Sequence, residues 1–382
     1  MPNILTLNKI AKCGLEQFPA GYVCGEDAEA PAAVMVRSAS MHEMALDPAT
    51  VAIARAGAGV NNIPVEACTA QGVCVFNTPG ANANGVKELV IMGLFMASRK
   101  VAESIDWCKG LKGEGADVPK LVEKGKGAFG GPEILGKTLG LIGVGAIGGL
   151  VAQAATALGM TVVGYDPYLS DSTKTMLAPS LTLLGGAAEV IAASDYLSLH
   201  APLTPETKGS INAETLAAAK DGLRIVNTAR ADLVNSAEML AMLESGKVAA
   251  YVVDFPTDEM IGVPGVTAIP HLGASTPESE DNCAIMAAQQ ITAYLERGEI
   301  KNSVNLPRAG LPEKFETRVC IIHEVDFDFN NASNALAAHQ PQHWNTYEGK
   351  DAGYAVLDTT GDVNPGVIEA LPGVLRVRVL KG

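Results

Sequence analysis

The segment Leu139-Gly140-Leu141-Ile142-Gly143-Val144-Gly145-Ala146-Ile147-Gly148 constrains the fold of this chain more than any other stretch. It joins an apolar strand to an alanine-rich helix through G-x-G-x-x-G, and a second strand, Met160 to Tyr165, follows and ends at Asp166. Each glycine has its own task. Gly143 makes the tight turn, Gly145 leaves the backbone open to a pyrophosphate, and Gly148 lets the helix lie close to the sheet. The helix begins at Ala146 and Ile147, whose free N–H groups and partial positive charge favour phosphate. Asp166 can accept hydrogen bonds from a ribose diol and repels a 2′-phosphate, so the predicted cofactor is NAD rather than NADP. No charged residue occurs between Thr138 and Tyr165. A membrane helix also needs such a run, but glycines interrupt this one and Thr161-Val162-Val163 is β-branched, as in a buried parallel strand.

Before this turn, short apolar runs alternate with polar helical stretches. Ala33–Val36, Val51–Ala54 and Val73–Phe76 read as strands, followed by turns holding Arg37-Ser38, Arg55-Ala56-Gly57 and Asn77-Thr78-Pro79-Gly80. In open α/β sheets such turns share the ligand-binding edge. Val86 to Ser98 has helical spacing, and the Gly- and Lys-rich residues 110–137 read as loop and linker. Further strands are expected at Tyr196–Leu199, Arg224–Asn227, Ala249–Val253 and Val266–Ile269, with a long helix from about Pro270 to Glu296. This alternation implies a mostly parallel, doubly wound sheet. After Pro307 the expected order is strand Arg318–Ile322, helix Ala332–Ala338, strand Tyr354–Asp358, helix Val367–Leu371 and strand Val374–Leu380.

Composition narrows the partners. The formal charge is −14, and no Lys/Arg run offsets it, so nucleic acid and anionic membranes are excluded as expected partners. An anionic substrate needs a local group of cations. The seven cysteines are odd in number and form no C-x-x-C, which fits reduced thiols. Met1-Pro2-Asn3-Ile4-Leu5 lacks a basic region followed by an apolar stretch, so a cytoplasmic location is expected. No metal site is predicted.

A bound nicotinamide needs a partner that moves the substrate's hydroxyl proton, and histidine suits that near neutral pH. Of the six histidines, His271 follows a strand and Pro270 at the ligand edge. A carboxylate, Asp258 or Glu259, would steady its imidazolium. Arg230, beyond Val226-Asn227-Thr228-Ala229, would bind and polarise a 2-hydroxy acid.

Residues 30–305 resemble the NAD-using D-2-hydroxyacid dehydrogenases. The resemblance rests on Gly143–Gly148 with Asp166, His200-Ala201-Pro202-Leu203-Thr204, Val226-Asn227-Thr228-Ala229-Arg230 and Pro270-His271-Leu272-Gly273-Ala274-Ser275. It implies a catalytic triad of Arg230, Glu259 and His271, with Asp258 selected if the register shifts by one. It implies cofactor contacts from Thr78, Gly143, Gly145, Ala146, Ile147, Gly148, Asp166, Ala201, Thr228, Ala229, Asp254, Gly273 and Ala274. Val36-Arg37-Ser38-Ala39, Arg55-Ala56-Gly57-Ala58-Gly59-Val60 and Phe76-Asn77-Thr78-Pro79-Gly80-Ala81-Asn82 are similar to members that oxidise 3-phosphoglycerate. Arg37, Ser38, Arg55, Ala58 and Gly59 are then the substrate contacts, with Lys87 a further candidate that reads better as a surface lysine on its helix.

The implied fold class is α/β: a doubly wound (Rossmann) NAD-binding domain, residues 93–271, inserted in a flavodoxin-like substrate domain, residues 1–92 and 272–306. A small C-terminal α+β domain, residues 312–382, resembles an ACT-type regulatory and oligomerisation module, although Asp326–Asn331 and Gln340–Glu348 depart from its pattern. A homodimer or homotetramer is expected. The alternative function is a D-2-hydroxyacid dehydrogenase of glycerate or hydroxypyruvate reductase type. A third reading is a non-catalytic NAD-sensing binding protein on the same fold.

Overall fold

Five short strands lead the chain: β1 (Asn3–Leu7), β2 (Val23–Gly25), β3 (Ala33–Val36), β4 (Ala52–Arg55) and β5 (Cys74–Phe76). They pair in parallel in the order β2-β1-β3-β4-β5. This is the doubly wound order of flavodoxin-like sheets. All four residues of β3 and the first three of β4 are buried, which explains why they read as continuous apolar runs. Two short helices, α1 (Lys12–Leu15) and α2 (Val65–Ala70), belong to this part. The computed structural model describes residues 2–330, 334, 337 and 343–382. Contacts divide the chain into two compact units, Met1–Asn82 with Pro277–Gly382, and Ala83–Thr276.

The unit of residues 83–276 opens with α3 (Ala83–Ser98), α4 (Val101–Lys109) and α5 (Val118–Gly125). Val86, Val90, Leu94 and Ala97 of α3 share a core with Val226 and Val252. This packing puts the first boundary at Asn82/Ala83, ahead of the expected 92/93. The expected loop over residues 110–137 instead contains α5 and two turns of 3₁₀ helix. Pro119 at the start of α5 supplies a helix-compatible φ, and the ring of Trp107 packs on Phe129 at 5.4 Å.

Seven parallel strands follow: β6 (Thr138–Ile142), β7 (Thr161–Tyr165), β8 (Thr182–Leu183), β9 (Tyr196–Leu199), β10 (Leu223–Asn227), β11 (Val248–Val253) and β12 (Val266–Ala268). Their order is β12-β11-β10-β9-β6-β7-β8. The order reverses between β6 and β9, where a doubly wound sheet opens a crevice for ligands. The covering helices are α6 (Ala146–Ala157), α7 (Asp171–Leu177), α8 (Ala187–Ala193) and α9 (Ser236–Ser245). Among the described residues, no helix is long and apolar enough to cross a membrane.

The chain re-enters the first unit through α10 (Pro277–Arg297). Ala284, Ala287, Ala288, Ile291 and Tyr294 of this helix pack with Met35, Ala54 and Phe76 of the first sheet. The last strands are β13 (Thr317–His323), β14 (His343–Tyr347), β15 (Gly353–Thr359) and β16 (Val374–Lys381), antiparallel in the order β14-β15-β13-β16. That is the strand order of the split β-α-β-β-α-β arrangement. A helix, Gly366–Glu369, lies in the expected 367–371 region, whereas the one expected over Ala332–Ala338 lies outside the described residues except at 334 and 337.

The C-terminal sheet shares the core of the first unit: Cys320, Ile322, Tyr354 and Val356 cluster with Ile4, Phe76 and Tyr294. Polar contacts reinforce the join. Arg318, fully buried, grips Asp358 through Nε and Nη2 at 2.6 and 2.8 Å and donates through Nη1 to the Arg297 carbonyl at 2.8 Å. Arg378 donates to the carbonyls of Tyr294 and Leu295 at 3.1 and 2.9 Å, and the Tyr354 hydroxyl to that of Gly298 at 2.7 Å. The last carbonyls of a helix lack intrahelical partners and carry partial negative charge, so arginines there satisfy both demands. Arg376 likewise donates to the Gln71 carbonyl just past α2.

Candidate functional site

The glycine turn has the geometry its spacing predicts. Gly143 has φ +90°, and a Cβ there would lie 2.7 Å from the His200 carbonyl carbon, so only glycine fits between β6 and β9. Its N–H donates to the Tyr165 carbonyl at 2.9 Å. A Cβ on Gly148 would overlap the Gly143 carbonyl oxygen, which fixes how closely α6 approaches the turn. Gly145, the N-cap of α6, faces open space: nothing lies within 4 Å of where its Cβ would be, and no side chain caps the helix. Open space, an uncapped helix and no side chain at the approach are what a pyrophosphate requires.

Asp166 holds the same turn. Its Oδ2 accepts from the Val144 N–H at 2.9 Å and its Oδ1 from the Tyr168 N–H at 3.0 Å. A carboxylate has about four lone-pair positions, so acceptor capacity remains for a diol. Replacing Asp166 by alanine is expected to weaken NAD binding about 10- to 100-fold, the range of hydrogen bonds to a charged group, and to narrow the preference over NADP. Fluorescence titration with both dinucleotides measures it; an unchanged NAD affinity would remove Asp166 from the site.

Four further strand ends lie on the same edge of this parallel sheet. His200 and Ala201 follow β9; burial pushes the His200 imidazole down to about 4, and the ring shares a 2.9 Å hydrogen bond with the Ser198 hydroxyl. A neutral, structural histidine results. Beyond β10, Thr228 is buried with its hydroxyl unpartnered among the described residues. A buried orphan hydroxyl at a ligand edge is a vacancy in hydrogen bonding that a ribose or amide group would fill. Together with the open face at Gly145, it fits the dinucleotide.

Asn227 shapes the turn that presents Arg230. Fully buried, it donates to the Arg230 carbonyl at 2.8 Å and accepts from the Ala229 N–H at 3.1 Å. The Arg230 side chain is exposed, donates to the Ala229 carbonyl at 2.6 Å, and sits 5.7 Å from the Phe255 ring centroid. The His271 ring lies against the same ring, tilted by 45° at a centroid distance of 4.4 Å. Phe255 is thus shared by the two residues that bear the expected chemistry.

His271 has φ +53°, rare for a side chain with a Cβ. The conformation is held from Asp254. Its carbonyl accepts the His271 N–H at 3.0 Å, and its two carboxylate oxygens accept the N–H groups of Leu272 and Gly273 at 2.7 and 2.9 Å. Burial pushes the Asp254 carboxyl up, against those N–H groups and the nearby His271. Asp254, expected as a cofactor contact, therefore anchors the histidine loop through both oxygens. Gly273 is buried against Asp254 and Val86, with Ala274 beyond it. Glu259 and Asp258 are exposed on the turn after Thr257, and among the described residues neither pairs with His271. The structure brings Arg230 and His271 together around Phe255 but leaves the expected carboxylate apart.

In the other unit, Arg37 follows β3 and Arg55 ends β4. Arg55 Nε donates to the Arg37 carbonyl at 3.1 Å, and its guanidinium lies over Gly57, where any Cβ would strike it. Arg37 is engaged with Glu280 of α10. Asn8 accepts the Ser38 and Ala39 N–H groups at 2.9 and 2.6 Å and fixes that turn. The N–H groups of Ala58 and Gly59 donate to no backbone carbonyl among the described residues, while Asn77 donates to the Ala58 carbonyl. Thr78 is fully buried, its N–H on the Gly57 carbonyl at 3.0 Å. Lys87, on α3, reaches Glu88 at 3.5 Å.

Sequence reasoning passed over Asn227, Phe255 and Glu280. Asn227 alone carried a signal, a polar residue directly after the apolar Ile225-Val226 pair at a strand end. Glu280 stands 243 positions from its partner, and no local pattern reports such a contact.

Residues 91–273 match the model of the D-isomer specific 2-hydroxyacid dehydrogenase, NAD binding domain. The chain is 35% identical over 326 residues to a D-3-phosphoglycerate dehydrogenase of Mycobacterium tuberculosis, an alignment covering 80% of this chain and 59% of that protein. This chain thus spans well under two thirds of that relative's length. It is 40% identical over 249 residues to a hydroxypyruvate reductase of Thermotoga maritima, covering 63% of this chain and 76% of the reductase. Among solved structures, it is similar to the NAD-bound 3-phosphoglycerate dehydrogenase of Entamoeba histolytica, with a TM-score of 0.62, 26% identity, and coverage of 80% of this chain and 98% of that one.

Proposed function

We infer the activity from one premise: the chain belongs to the D-isomer specific 2-hydroxyacid dehydrogenase family. The proposed reaction is NAD-dependent oxidation of 3-phosphoglycerate to 3-phosphohydroxypyruvate, the entry to phosphorylated serine synthesis. The observation that carries the choice of substrate is the pair Arg37 and Arg55 on adjoining strands of an acidic protein, linked by the Arg55–Arg37 hydrogen bond. Relatives named D-3-phosphoglycerate dehydrogenase support it.

The bound dinucleotide supplies a hydride acceptor. The residues that would hold it are Gly143 to Gly148 with the α6 N–H groups for the pyrophosphate, Asp166 for the ribose, and the Thr228 hydroxyl. Arg230 would bind the substrate carboxylate and draw electron density toward the C2 oxygen as it becomes a carbonyl. His271 would accept the C2 hydroxyl proton as the C–H bond breaks. Glu259, or Asp258, would stabilise the imidazolium. Arg37, Ser38 and Arg55, with the Ala58 and Gly59 N–H groups, would receive the phosphate and the remaining oxygens. The oligomer expected is a homodimer or homotetramer.

The similarity to a hydroxypyruvate reductase favours a second reading, the same chemistry on an unphosphorylated acid. A panel read by NADH absorbance separates them: 3-phosphoglycerate and D-glycerate forward, phosphohydroxypyruvate and hydroxypyruvate in reverse. The proposal expects kcat/KM at least about tenfold higher for the phosphorylated member of each pair, the effect of one well-placed cation. Turnover confined to the unphosphorylated acids establishes the second reading.

A further inference from the structure

Arg37 is not an idle cation waiting for a substrate. Its guanidinium holds the carboxylate of Glu280, and both side chains are 41% exposed. Glu280 lies in the first turn of α10, a 21-residue helix whose N-terminal partial positive charge favours an ionised carboxylate. Arg55 donates to the Arg37 carbonyl, so Glu280 offsets the charge of an arginine that stands beside a second one. A half-exposed ion pair of this kind is weak and exchangeable. An incoming phosphate must therefore displace an anion that the protein already supplies.

Resting on the reading of Arg37 as a substrate cation, we propose that Glu280 is a specificity-determining residue, an internal competitor that lowers affinity for a phosphorylated acid relative to an unphosphorylated one. A carboxylate beside the phosphate position adds like-charge repulsion, which a neutral substrate tail does not feel. The role assigned to Glu280 is in binding, not in proton or hydride transfer.

The test is Glu280→Gln, which keeps the shape and a hydrogen bond to Arg37 but removes the charge. Calorimetric titration with inorganic phosphate is expected to show about tenfold tighter binding than in the unaltered protein at low salt, shrinking as salt screens the charges. In the substrate panel, KM for 3-phosphoglycerate is expected to fall by a similar factor while KM for D-glycerate changes less than about twofold. Glu280→Ala, with thermal melting of both variants, separates loss of charge from loss of packing. Unchanged phosphate affinity in both folded variants, or equal KM changes for the two acids, overturns the proposal. Failure of the unaltered protein to turn over 3-phosphoglycerate overturns the substrate reading instead. In that case a gain of phosphate affinity, or of phosphorylated-acid turnover, in Glu280→Gln still sustains the role of Glu280.

Discussion

Exchanging His271 for asparagine is expected to lower kcat about 10²- to 10⁴-fold, the usual contribution of a positioned general acid–base, while NAD affinity and the melting temperature stay near their original values. Asparagine suits this test because of the backbone. His271 has φ +53°, a conformation that asparagine adopts far more readily than alanine. The hydrogen bonds that hold the loop run from the main chain of His271, Leu272 and Gly273 to Asp254, and none of them needs the imidazole. The side chain is exposed and leans on Phe255, so its removal leaves no buried cavity. Loss of turnover with retained fold and cofactor affinity therefore reports the ring's proton chemistry. A drop of less than tenfold under saturating substrate would remove His271 from the reaction.

The largest effect on stability is expected from Arg318→Met. Arg318 has no exposure and makes a bidentate pair with Asp358, plus hydrogen bonds to the carbonyls of Arg297 and Pro312. Methionine matches much of the volume but leaves Asp358 as a buried carboxylate without its cation. Breaking one side of a buried pair costs about 3–5 kcal/mol. Because the chain has two units, a global melt mixes their transitions. Hydrogen exchange of the β13 and β15 amides isolates the affected unit, and protection there is expected to fall by two to three orders of magnitude, about 1.4 kcal/mol per tenfold. Asp358→Asn in the same background is expected to restore part of the loss by removing the stranded charge. A fall in protection of less than fivefold would show that the pair is dispensable.

The parts of the fold legible from the chain were those governed by local pattern. β3, β6, β7 and β9 are dominated by buried residues and read as near-continuous apolar runs, and Gly143 to Gly148 left one conformation for the turn. Residues 110–137 were misread because glycine and lysine content masked the Val118, Leu121 and Val122 spacing that folds into α5. β14 was missed because polar His343, Asn345 and Thr346 hide a strand at a sheet edge. In the candidate site, Arg230 and His271 were visible because each follows a strand in a parallel sheet. The Arg37–Glu280 pair was not, since it joins β3 to a helix 243 positions on. Nor was the double use of Asp254, whose oxygens meet residues 18 and 19 positions later only once β11 and β12 are paired.

The arginines on the end of α10 bear on how such a chain could be recombined. Residues 307–311 look like the natural place to exchange one C-terminal module for another, since they separate the helix from β13. Yet the carbonyls of Tyr294, Leu295, Arg297 and Gly298 are answered by Arg378, Arg318 and Tyr354 from beyond that point. A crossover there would pair one parent's helix end with another parent's arginines. The end of α10 and the C-terminal sheet therefore travel as one inheritance.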